Sequence, residues 1–461
     1  MIRVTTLASS GPGSLQEAAA ASGSRTVVFA VGGVIRGDVA IKHSHITIAG
    51  QTAPSPGITL EGRLVARPEP WRRLQDIVVR FLRIRTPPGH GDQGDAVQLP
   101  DTERVMLDHL SLSWATDETV DVIHSSEVTL QWSTLEESDP SGHTSGRRHN
   151  FGLISAYPGS GNISIHHNLF AHHSRRSPSL SPYVKGKPGD FRNNVVYDFA
   201  EGLAHDGHVP QEAINLIGNY YRRGPSAWRI APFVLHPQGV YCIGGNYVEG
   251  IGYLDQVRSL RRRVPAWLRL PREGALALRP APVASVETHT AADALALVLA
   301  QAGAFPRDRI TQRTVRETER GEGTWRRNAP PAPGDDWYLA GLPKETAAMD
   351  SDGDGMPDAW EDAQGLHKRD PTDHTRPLAN GYSAIETYMN ERAAALAPDR
   401  RPVNTVGDHS RCEDLLQPSD TRQSRPSTSL GVASSHAPAP RHRPTTLEAY
   451  EVRTRAGLTT P

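Results

Sequence analysis

The sequence predicts an all-β protein in which a parallel β-helix is followed by a smaller region that contains helices. Between about residues 25 and 250, short runs with alternating apolar side chains are separated by Gly, Asn, Ser and Pro, as expected for strands and turns. An asparagine recurs there after 26, 25 and 27 residues, at Asn168, Asn194, Asn219 and Asn246. A period of roughly 20–30 residues made of short strands is typical of a solenoid.

Each coil of such a solenoid stacks on the one before it, so that like residues at equivalent turns form ladders along the axis. An asparagine at a repeated turn can then satisfy backbone groups of the neighbouring coil. The alternative is a β-sandwich with coincidental spacing, but the Asn-Gly and Asp-Gly pairs that mark its hairpins are sparse. The solenoid is therefore the better interpretation.

The end of a solenoid exposes apolar core and requires a cap. Residues 14–21 begin with Ser14, and Glu17 follows three positions later, which is the pattern of a helix capping box. We therefore predict a short helix that covers the N-terminal end of the β-helix.

The composition limits the classes of partner. The 461 residues include 50 Lys and Arg against 51 Asp and Glu, a net charge of −1, so no overall field favours a nucleic acid. No run approaches the roughly 18 apolar residues of a membrane span. Residues 1–14 lack the basic and apolar regions of a secretory signal. We expect a monomer that binds neither nucleic acid nor membrane and holds any charged partner on a local patch.

A motif near the C-terminus has the spacing of a calcium loop. Carboxylates stand at relative positions 1, 3, 5, 9 and 12 with glycine at position 6, an arrangement that binds Ca²⁺. The predicted ligands are Asp350, Asp352, Asp354, Asp358 and Glu361. Asp370 and Asp373 could supply further oxygens.

We divide the chain into four parts on these patterns. They are the β-helix with its cap (1–250), a helical and irregular region packed on it together with a linker (251–345), the calcium-loop segment (346–395) and a tail expected to be disordered (396–461). Cys242 lies in a strand-like run and Cys412 in the tail, 170 positions away. This separation argues against a disulfide framework, and we expect two free thiols.

A second acidic group lies on the predicted solenoid. Asp95 precedes one strand, and Asp117, Glu118 and Asp121 follow the next. Because successive coils lie about 4.8 Å apart, equivalent side chains converge on one face, where their oxygens could hold a hard cation. A basic group follows in the next coils and includes Arg175, Arg176, Lys185 and Arg192. Acidic and basic groups on one face suit an anionic polymer that is bridged by a metal and bound by arginine.

Taken together, these residues resemble the pectate lyases of polysaccharide lyase family one, which are right-handed parallel β-helices. The resemblance covers roughly residues 4–390 and includes the segments 108–114 and 168–173 and the Arg-X-Pro element that starts at Arg176. It implies that Arg176 contacts the substrate and abstracts the C5 proton. It also implies that calcium is bound by Asp95, Asp117 and Asp121.

The chain departs from the family pattern at several positions. Gln93 stands where the family has an aspartate, and Ser181 stands where many members have a second arginine. Arg148 and His149 lie in the insertion where the family has a lysine on its catalytic face. We therefore expect the substrate carboxylates to be bound by Arg175, Lys185, Arg148 and Arg192.

The reaction implied by the resemblance is calcium-assisted β-elimination of polygalacturonate by a secreted enzyme, which yields 4,5-unsaturated oligogalacturonides. Because arginine is almost always protonated, His149 and a metal-bound water remain alternatives to Arg176 as the base. Two other functions stay open. One is a glycoside hydrolase acting on pectin with carboxylates among Asp117, Glu118 and Asp121, and the other is a β-helix that binds a polysaccharide without cleaving it.

Overall fold

Each sequence repeat folds as one coil with three short strands. In one coil Thr102–Asp108, Ser111–Ser113 and Glu118–Asp121 follow one another, and the next coil begins with Ser126–Gln131, which pairs in parallel with Thr102–Asp108. The bend after the first strand is tight because His109 adopts a φ of 52°, in the left-handed region. Stacking the coils therefore produces three parallel sheets.

The computed structural model describes residues 1–69, 72–89, 94–141, 143, 149–205, 212–254, 265–269, 275–331, 333–397 and 412. Within these residues, the first strands of the coils form an eleven-stranded sheet, the second strands a ten-stranded sheet and the third strands an eight-stranded sheet. We call them the first, second and third sheets. Neighbouring strands of these sheets run parallel within the described residues, except that Tyr247–Val248 pairs antiparallel with Gly252–Tyr253. The predicted parallel β-helix is confirmed.

The strand bounds follow the coil repeat. The first sheet contains Ile2–Val4, Arg25–Phe29, Ile46–Ala49, Leu74–Arg80, Thr102–Asp108, Ser126–Gln131, Gly161–His166, Gly189–Arg192, Ile214–Ile217, Val240–Gly244 and Ala275–Leu276. The second sheet contains Gly33–Arg36, Ile58–Glu61, Leu82–Arg85, Ser111–Ser113, Thr134–Leu135, Leu169–Ala171, Val195–Tyr197, Tyr220–Arg222, Tyr247–Val248 and Gly252–Tyr253. The third sheet contains Val39–Ile41, Leu64–Ala66, Val97–Gln98, Glu118–Asp121, Phe151–Ser155, Ser179–Leu180, Glu201–Ala204 and Ala231–Val234.

The predicted asparagine ladder runs through the interior. Oδ1 of Asn194 accepts from both the backbone N and the Nδ2 of Asn168, each at 3.0 Å. Asn194 donates in the same way to Asn219, and Asn219 donates to Asn246. All four side chains are fully buried. The ladder satisfies backbone donors at the bend that would otherwise be unpaired inside the solenoid.

The N-terminal cap is the short helix Leu15–Ala20, as predicted. Oγ of Ser14 accepts from the backbone N of Glu17 at 3.2 Å, and the buried Leu15, Ala18 and Ala19 join the solenoid core. The other helices of the described residues are Ala291–Gln301, Arg309–Arg320, Asp335–Tyr338, Asp358–Gln364 and Ala384–Leu396, with 3₁₀ turns at Gly50–Thr52 and Asp373–Thr375. None of these helices is long and apolar enough to cross a membrane.

A buried ion network joins the second sheet to the helix Arg309–Arg320. Arg85 donates from Nη2 to both carboxylate oxygens of Asp308, at 2.8 and 2.9 Å, and from Nη1 to Glu136 at 2.9 Å. All three side chains are 0% exposed. Asp308 also caps the helix, because its Oδ1 accepts from the backbone N of Thr311 at 3.0 Å. The helix is thus anchored on the solenoid through charge.

Cys242 and Cys412 form a disulfide with a Cα–Cα distance of 5.5 Å, so the prediction of two free thiols was wrong. Cys242 lies in the last full coil, and Cys412 packs against it and Ile217. The backbone N of Cys412 donates to the carbonyl oxygen of Leu278 at 3.0 Å. Residue separation misled the prediction because the chain returns to the solenoid at this point. The remainder of the predicted tail from residue 398 lies outside the described residues.

Candidate functional site

The third sheet positions the predicted acidic group. Val97, Val120 and Leu153 are partners in register and are buried in the core. Their packing fixes the strands, and the neighbouring acidic residues are thereby held on the outward face of the coil, where Asp95 and Glu118 are nonetheless largely covered. Asp95, just before the strand Val97–Gln98, accepts from the backbone N of Glu118 at 3.0 Å. This hydrogen bond joins two successive coils at the site.

Three carboxylates converge at this point. Asp95, Asp117 and Glu118 each offer an oxygen within 4.8 Å of the others, and we call them the coil carboxylates. Burial raises the pKa of Asp95 well above its usual range, and the charges of Asp121 and Asp117 raise it further. A nearby cation would favour the ionised forms, and a set of carboxylate oxygens suits Ca²⁺.

Asp121, the third predicted ligand on the solenoid, lies outside this mutual group. Its Oδ1 accepts from the backbone N of Ile123 at 2.9 Å. Burial, with a smaller contribution from the charge of Asp117, raises its pKa to about 6 in spite of that hydrogen bond. Among the described residues, Glu118 rather than Asp121 completes the group. Asp121 remains near enough for its charge to affect Asp95.

Arg176 faces the coil carboxylates. Its Nη1 donates to Oε1 of Glu118, and its guanidinium carbon lies 4.5 Å from the centroid of the Phe151 ring. The backbone of Arg176 has a φ of 54°, and its carbonyl oxygen accepts from Leu153 at 2.8 Å. A Cβ at Gly152 would lie 2.6 Å from that oxygen, so glycine permits the close approach of the two coils.

His149 borders the same group. Its Nδ1 lies 2.7 Å from Oδ1 of Asp117, and its ring stacks on His143 with centroids 3.6 Å apart. Asp117, His143 and His149 could together hold a metal ion, but two imidazoles favour a transition metal over calcium. Asp117 belongs to both groups, so it connects His149 to the coil carboxylates.

The predicted basic residues have different locations. Arg175 is 53% exposed in its side chain and donates from Nε to Glu201 at 2.7 Å, so it lies next to Arg176 on the third sheet. Lys185 is exposed in the turn toward the first sheet. Arg192 lies on the first sheet itself and pairs with Asp190 at 2.8 Å, so the structure does not bring it to the coil carboxylates. Arg148 lies outside the described residues.

The C-terminal loop forms a second acidic site. Asp350, Asp352 and Asp354 have oxygens within 4.8 Å of one another, and so do Asp354, Glu361 and Asp373. Glu361 is 0% exposed, and both its carboxylate oxygens lack a hydrogen-bond partner. Burial, together with the charges of Asp354 and Asp352, raises the pKa of Glu361 to about 8. Unpaired buried oxygens of this kind fit a cation site.

Asp358, also a predicted ligand of the loop, has a different set of partners. Its two oxygens accept from the backbone N and the Oγ of Ser351, at 2.7 and 2.8 Å. Its pKa is lowered mainly by the side-chain hydrogen bond from Ser351. Asp358 therefore closes the loop, whereas Asp373 joins the acidic group. Asp370 accepts from Thr372.

Sequence reasoning gave two members of this site other roles or none. Glu118 entered as a member of the acidic group and as a carboxylate for a hydrolase but not among the predicted calcium ligands, and Phe151 was not considered. In the register of the third sheet Glu118 is opposite Phe151, and Phe151 is opposite Arg175. The sequence alone does not give this register, because the coil between Glu118 and Phe151 contains an insertion and its length does not say which residues of the two strands stand opposite each other.

The fold and this site define a β-helix protein with carboxylates and an arginine side by side on one sheet. A scan against protein-family models finds no match. The curated relative named "Probable pectate lyase C" from Aspergillus fumigatus is 31% identical over 401 residues, which cover 84% of this chain and 88% of the relative. Its namesake from Aspergillus terreus is 32% identical over 413 residues, with the same coverage. The chain therefore belongs to the pectate lyase family, and the resemblance found in the sequence is confirmed.

The chain is also similar to solved structures at low sequence identity. Jun a 1, the major allergen from cedar pollen, is 13% identical with a TM-score of 0.44, over 66% of this chain and 88% of the allergen. The pectate lyase Bsp165PelA from Bacillus sp. N165, in complex with trigalacturonate, is 15% identical with a TM-score of 0.37, over 61% of this chain and 86% of the other.

Proposed function

We propose that the protein cleaves polygalacturonate by β-elimination and releases 4,5-unsaturated oligogalacturonides. The observation that carries the proposal is the contact between Arg176 and the coil carboxylates on one sheet of a chain from the pectate lyase family. The acidic polysaccharide is the partner, and the oxygen ligands of Asp95, Asp117 and Glu118 would hold Ca²⁺.

When bound, calcium would neutralise the uronate carboxylate and make the C5 proton more acidic. Glu118 fixes the guanidinium of Arg176 by its hydrogen bond, and the Phe151 ring supports that guanidinium from one face. In the reaction a base takes the proton from C5, the C5–H electrons form the C4=C5 double bond, the C4–O bond breaks, and the departing oxygen takes up a proton. Arg176 is placed to contact the substrate during these steps.

Two side chains are candidates for the base. Arg176 is the residue that the family resemblance assigns. In His149, Nδ1 is engaged by Asp117, so Nε2 is the nitrogen that can accept a proton. A general base typically contributes about 10²–10⁴-fold to the rate, so substitution of the true base should produce a loss of that size.

The test is an assay of polygalacturonate cleavage that follows both ultraviolet-absorbing unsaturated ends and reducing ends. Unsaturated ends from the wild type, with a loss of about 10²–10⁴-fold in kcat for Arg176→Ala, support elimination with Arg176 in the site. His149→Ala serves as the parallel variant and identifies the base if it has the larger loss. Reducing ends without absorbance would show a hydrolase, and polysaccharide binding without either product would show a binding β-helix. Each of these two outcomes overturns the proposal.

We also propose that the C-terminal loop binds a calcium ion with a structural role, through Asp350, Asp352, Asp354, Glu361 and Asp373. The unpaired oxygens of the buried Glu361 support this. Met356 of the loop packs against Val28 and Ala49 of the solenoid, so an ordered loop would attach the C-terminal segment to the first sheet. The role of this site differs from that of the coil carboxylates, because a structural ion does not require a neighbouring substrate-binding arginine such as Arg176.

We propose an extracellular location as well. The Cys242–Cys412 disulfide supports it, because disulfides persist in oxidising environments. A pectic substrate would also lie outside the cell. Fractionation of the producing cells tests this proposal, and recovery of the protein only from the cell interior would contradict it.

A further inference from the structure

A ridge of arginine and tryptophan continues the third sheet beyond Arg175. We define the indole ridge as Arg223, Trp228, Arg229, Trp267 and Arg269. We propose that it binds further sugar residues of an acidic polysaccharide, away from the cleaved linkage. This inference rests on the proposed function, because it extends the same substrate along the same sheet.

The register of the third sheet places the ridge. Phe151 is opposite Arg175, Glu201 is opposite Ala231, and Ile230 is opposite Leu268. Each step along this series is one coil, about 4.8 Å. Residues beside Ile230 and Leu268 therefore lie roughly 10–15 Å along the sheet from Arg175. Only a substrate longer than the cleaved linkage can reach that far.

Side-chain direction brings the ridge to the surface. Ile230 and Leu268 are buried in the core, and successive residues of a strand point to opposite faces. Arg229 and Arg269, their neighbours in sequence, are exposed and point outward, whereas Trp267 is half-buried and packs partly against the core. Ile230 and Leu268 form an isolated parallel bridge, in which Ile230 N donates to Trp267 O at 2.9 Å and Arg269 N donates to Ile230 O at 2.8 Å.

A chain of charges connects the ridge to the candidate active site. Glu201 accepts from Arg175 at 2.7 Å and lies 3.7 Å from Nη1 of Arg269. The small side chain of Ala231, opposite Glu201, lies on the coil between them. Arg175 and Arg269 have side chains 53% and 62% exposed. Their charges can thus attract an anionic chain, and the carboxylate of Glu201 between them holds the two guanidinium groups in place.

The two indoles provide flat apolar surfaces within this positive field. Trp228 is 64% exposed, and the guanidinium carbon of Arg229 lies 4.9 Å from its ring centroid. The guanidinium carbon of Arg223 lies 5.0 Å from the centroid of the Trp267 ring, and its Nη1 donates to the carbonyl oxygen of Trp228 at 3.4 Å. Each indole is therefore held by an arginine.

These groups match the chemistry of a uronic acid. The apolar face of a sugar ring packs on an indole, and its carboxylate pairs with a guanidinium, which binds carboxylates through two parallel hydrogen bonds. Among the residues that the structure describes, the ridge and Arg175 together present four guanidinium groups, and the carboxylate of Glu201 pairs with Arg175 and lies near Arg269. A neutral polysaccharide would use the indoles but would gain nothing from the charges. The geometry therefore favours an acidic chain.

The test measures kcat/KM for oligogalacturonates from trimer to octamer, with the wild type and Trp228→Ala. We expect the wild type to prefer the octamer and Trp228→Ala to lose about three- to tenfold of that preference through KM, the size of one aromatic contact. Trp228→Phe should recover most of it. Tyr382→Ala removes another exposed aromatic ring, 54% exposed and outside the ridge, and should keep the wild-type preference.

The charge component is tested with Arg229→Gln. This variant should reduce the salt dependence of the octamer preference, because fewer exposed charges are then screened. An octamer preference that is unchanged in Trp228→Ala would overturn the inference.

The proposed function and this inference can fail separately. If the wild type cleaves no oligogalacturonate, the proposed function fails, and calorimetric titration of the octamer into the wild type and Trp228→Ala decides about the ridge. Weaker binding by Trp228→Ala would then retain it as a polysaccharide-binding surface, and equal binding would remove it.

Discussion

Asp308→Ala should release the helix Arg309–Arg320 from the solenoid. Asp308 forms two hydrogen bonds with Nη2 of Arg85, at 2.8 and 2.9 Å, and one with its Nε at 3.1 Å. Burial would raise the pKa of Asp308, but the charges of Arg85 and Arg83 outweigh it and lower the pKa. The substitution leaves Arg85 buried with only Glu136 as a charged partner in this network and removes the cap of the helix.

The magnitude follows from these two losses. Breaking one side of a fully buried ion pair costs about 3–5 kcal/mol, and losing an aspartate N-cap costs about 0.5–2 kcal/mol. We therefore expect a loss of about 3.5–7 kcal/mol in the free energy of opening this helix. Asp335→Ala is the matched control, because Asp335 pairs with Arg36 on the surface with both side chains about half exposed. Such a pair contributes about 0.2–1 kcal/mol.

Hydrogen exchange measured by mass spectrometry on peptides from this helix provides the assay. At about 1.4 kcal/mol per factor of ten, Asp308→Ala should speed exchange by about 300-fold or more, and Asp335→Ala by less than about tenfold. Asp308→Asn keeps the shape and a capping oxygen and should give an intermediate effect if Asp308→Ala does not fold. Equal exchange in the Asp308 and Asp335 variants would refute the assignment of Arg85–Asp308 as the anchor.

Three further predictions concern calcium, the disulfide and pH. Calcium at a hundredfold excess over the Kd of the C-terminal loop should add about 2.7 kcal/mol of stability through that site, and Glu361→Gln should lose this part of the shift in Tm, whereas an equal shift in both would contradict the loop site. Cys412→Ser should lower the free energy of unfolding by about 2–4 kcal/mol. A reductant should lower the Tm of the wild type to that of the variant and leave the Tm of the variant unchanged. Burial lowers the pKa of His172, but hydrogen bonds with Asp198 and Glu317 outweigh it and raise the pKa above 6.5. The stability that this histidine contributes is thus fully present below pH 6.5 and is lost as pH rises through its folded pKa; His172→Gln should flatten the unfolding free energy over that range, and an unchanged pH dependence would argue against the contribution.

The coil repeat of the β-helix was predictable because equivalent residues recur in the sequence at a nearly constant interval. Asn168 and Asn194 occupy equivalent bends, and the hydrogen bonds between them follow from stacking one coil on the next. The cap was predictable for a similar reason, since Ser14 and Glu17 are local signals. Elements whose physical cause lies within one coil or one turn can be derived without knowledge of the rest of the chain.

The site was predictable only in part because its residues come from different coils. Asp95 and Asp117 were expected to converge and do so. Arg192 was expected beside them but lies on the first sheet. Each coil contributes to three sheets, so a residue that lies a third of a coil further along the chain belongs to a different sheet and faces another side of the solenoid. The disulfide of Cys242 depends on where the chain returns after the solenoid, and no local pattern encodes that position.

The division between inward and outward residues explains how this scaffold carries both the site and the ridge. Inward residues such as Val120 and Ile230 are fixed by packing in the core. They therefore determine where the outward residues next to them lie along the axis of the solenoid. The outward residues at each height then differ in chemistry, with carboxylates near Glu118 and guanidinium and indole groups near Arg269. An acidic chain lying along the third sheet would therefore meet a cation site first and a positive, aromatic surface four or five coils later. Since the spacing of these regions is the coil spacing itself, the length of substrate that gains from the ridge is set by the fold rather than by any single side chain.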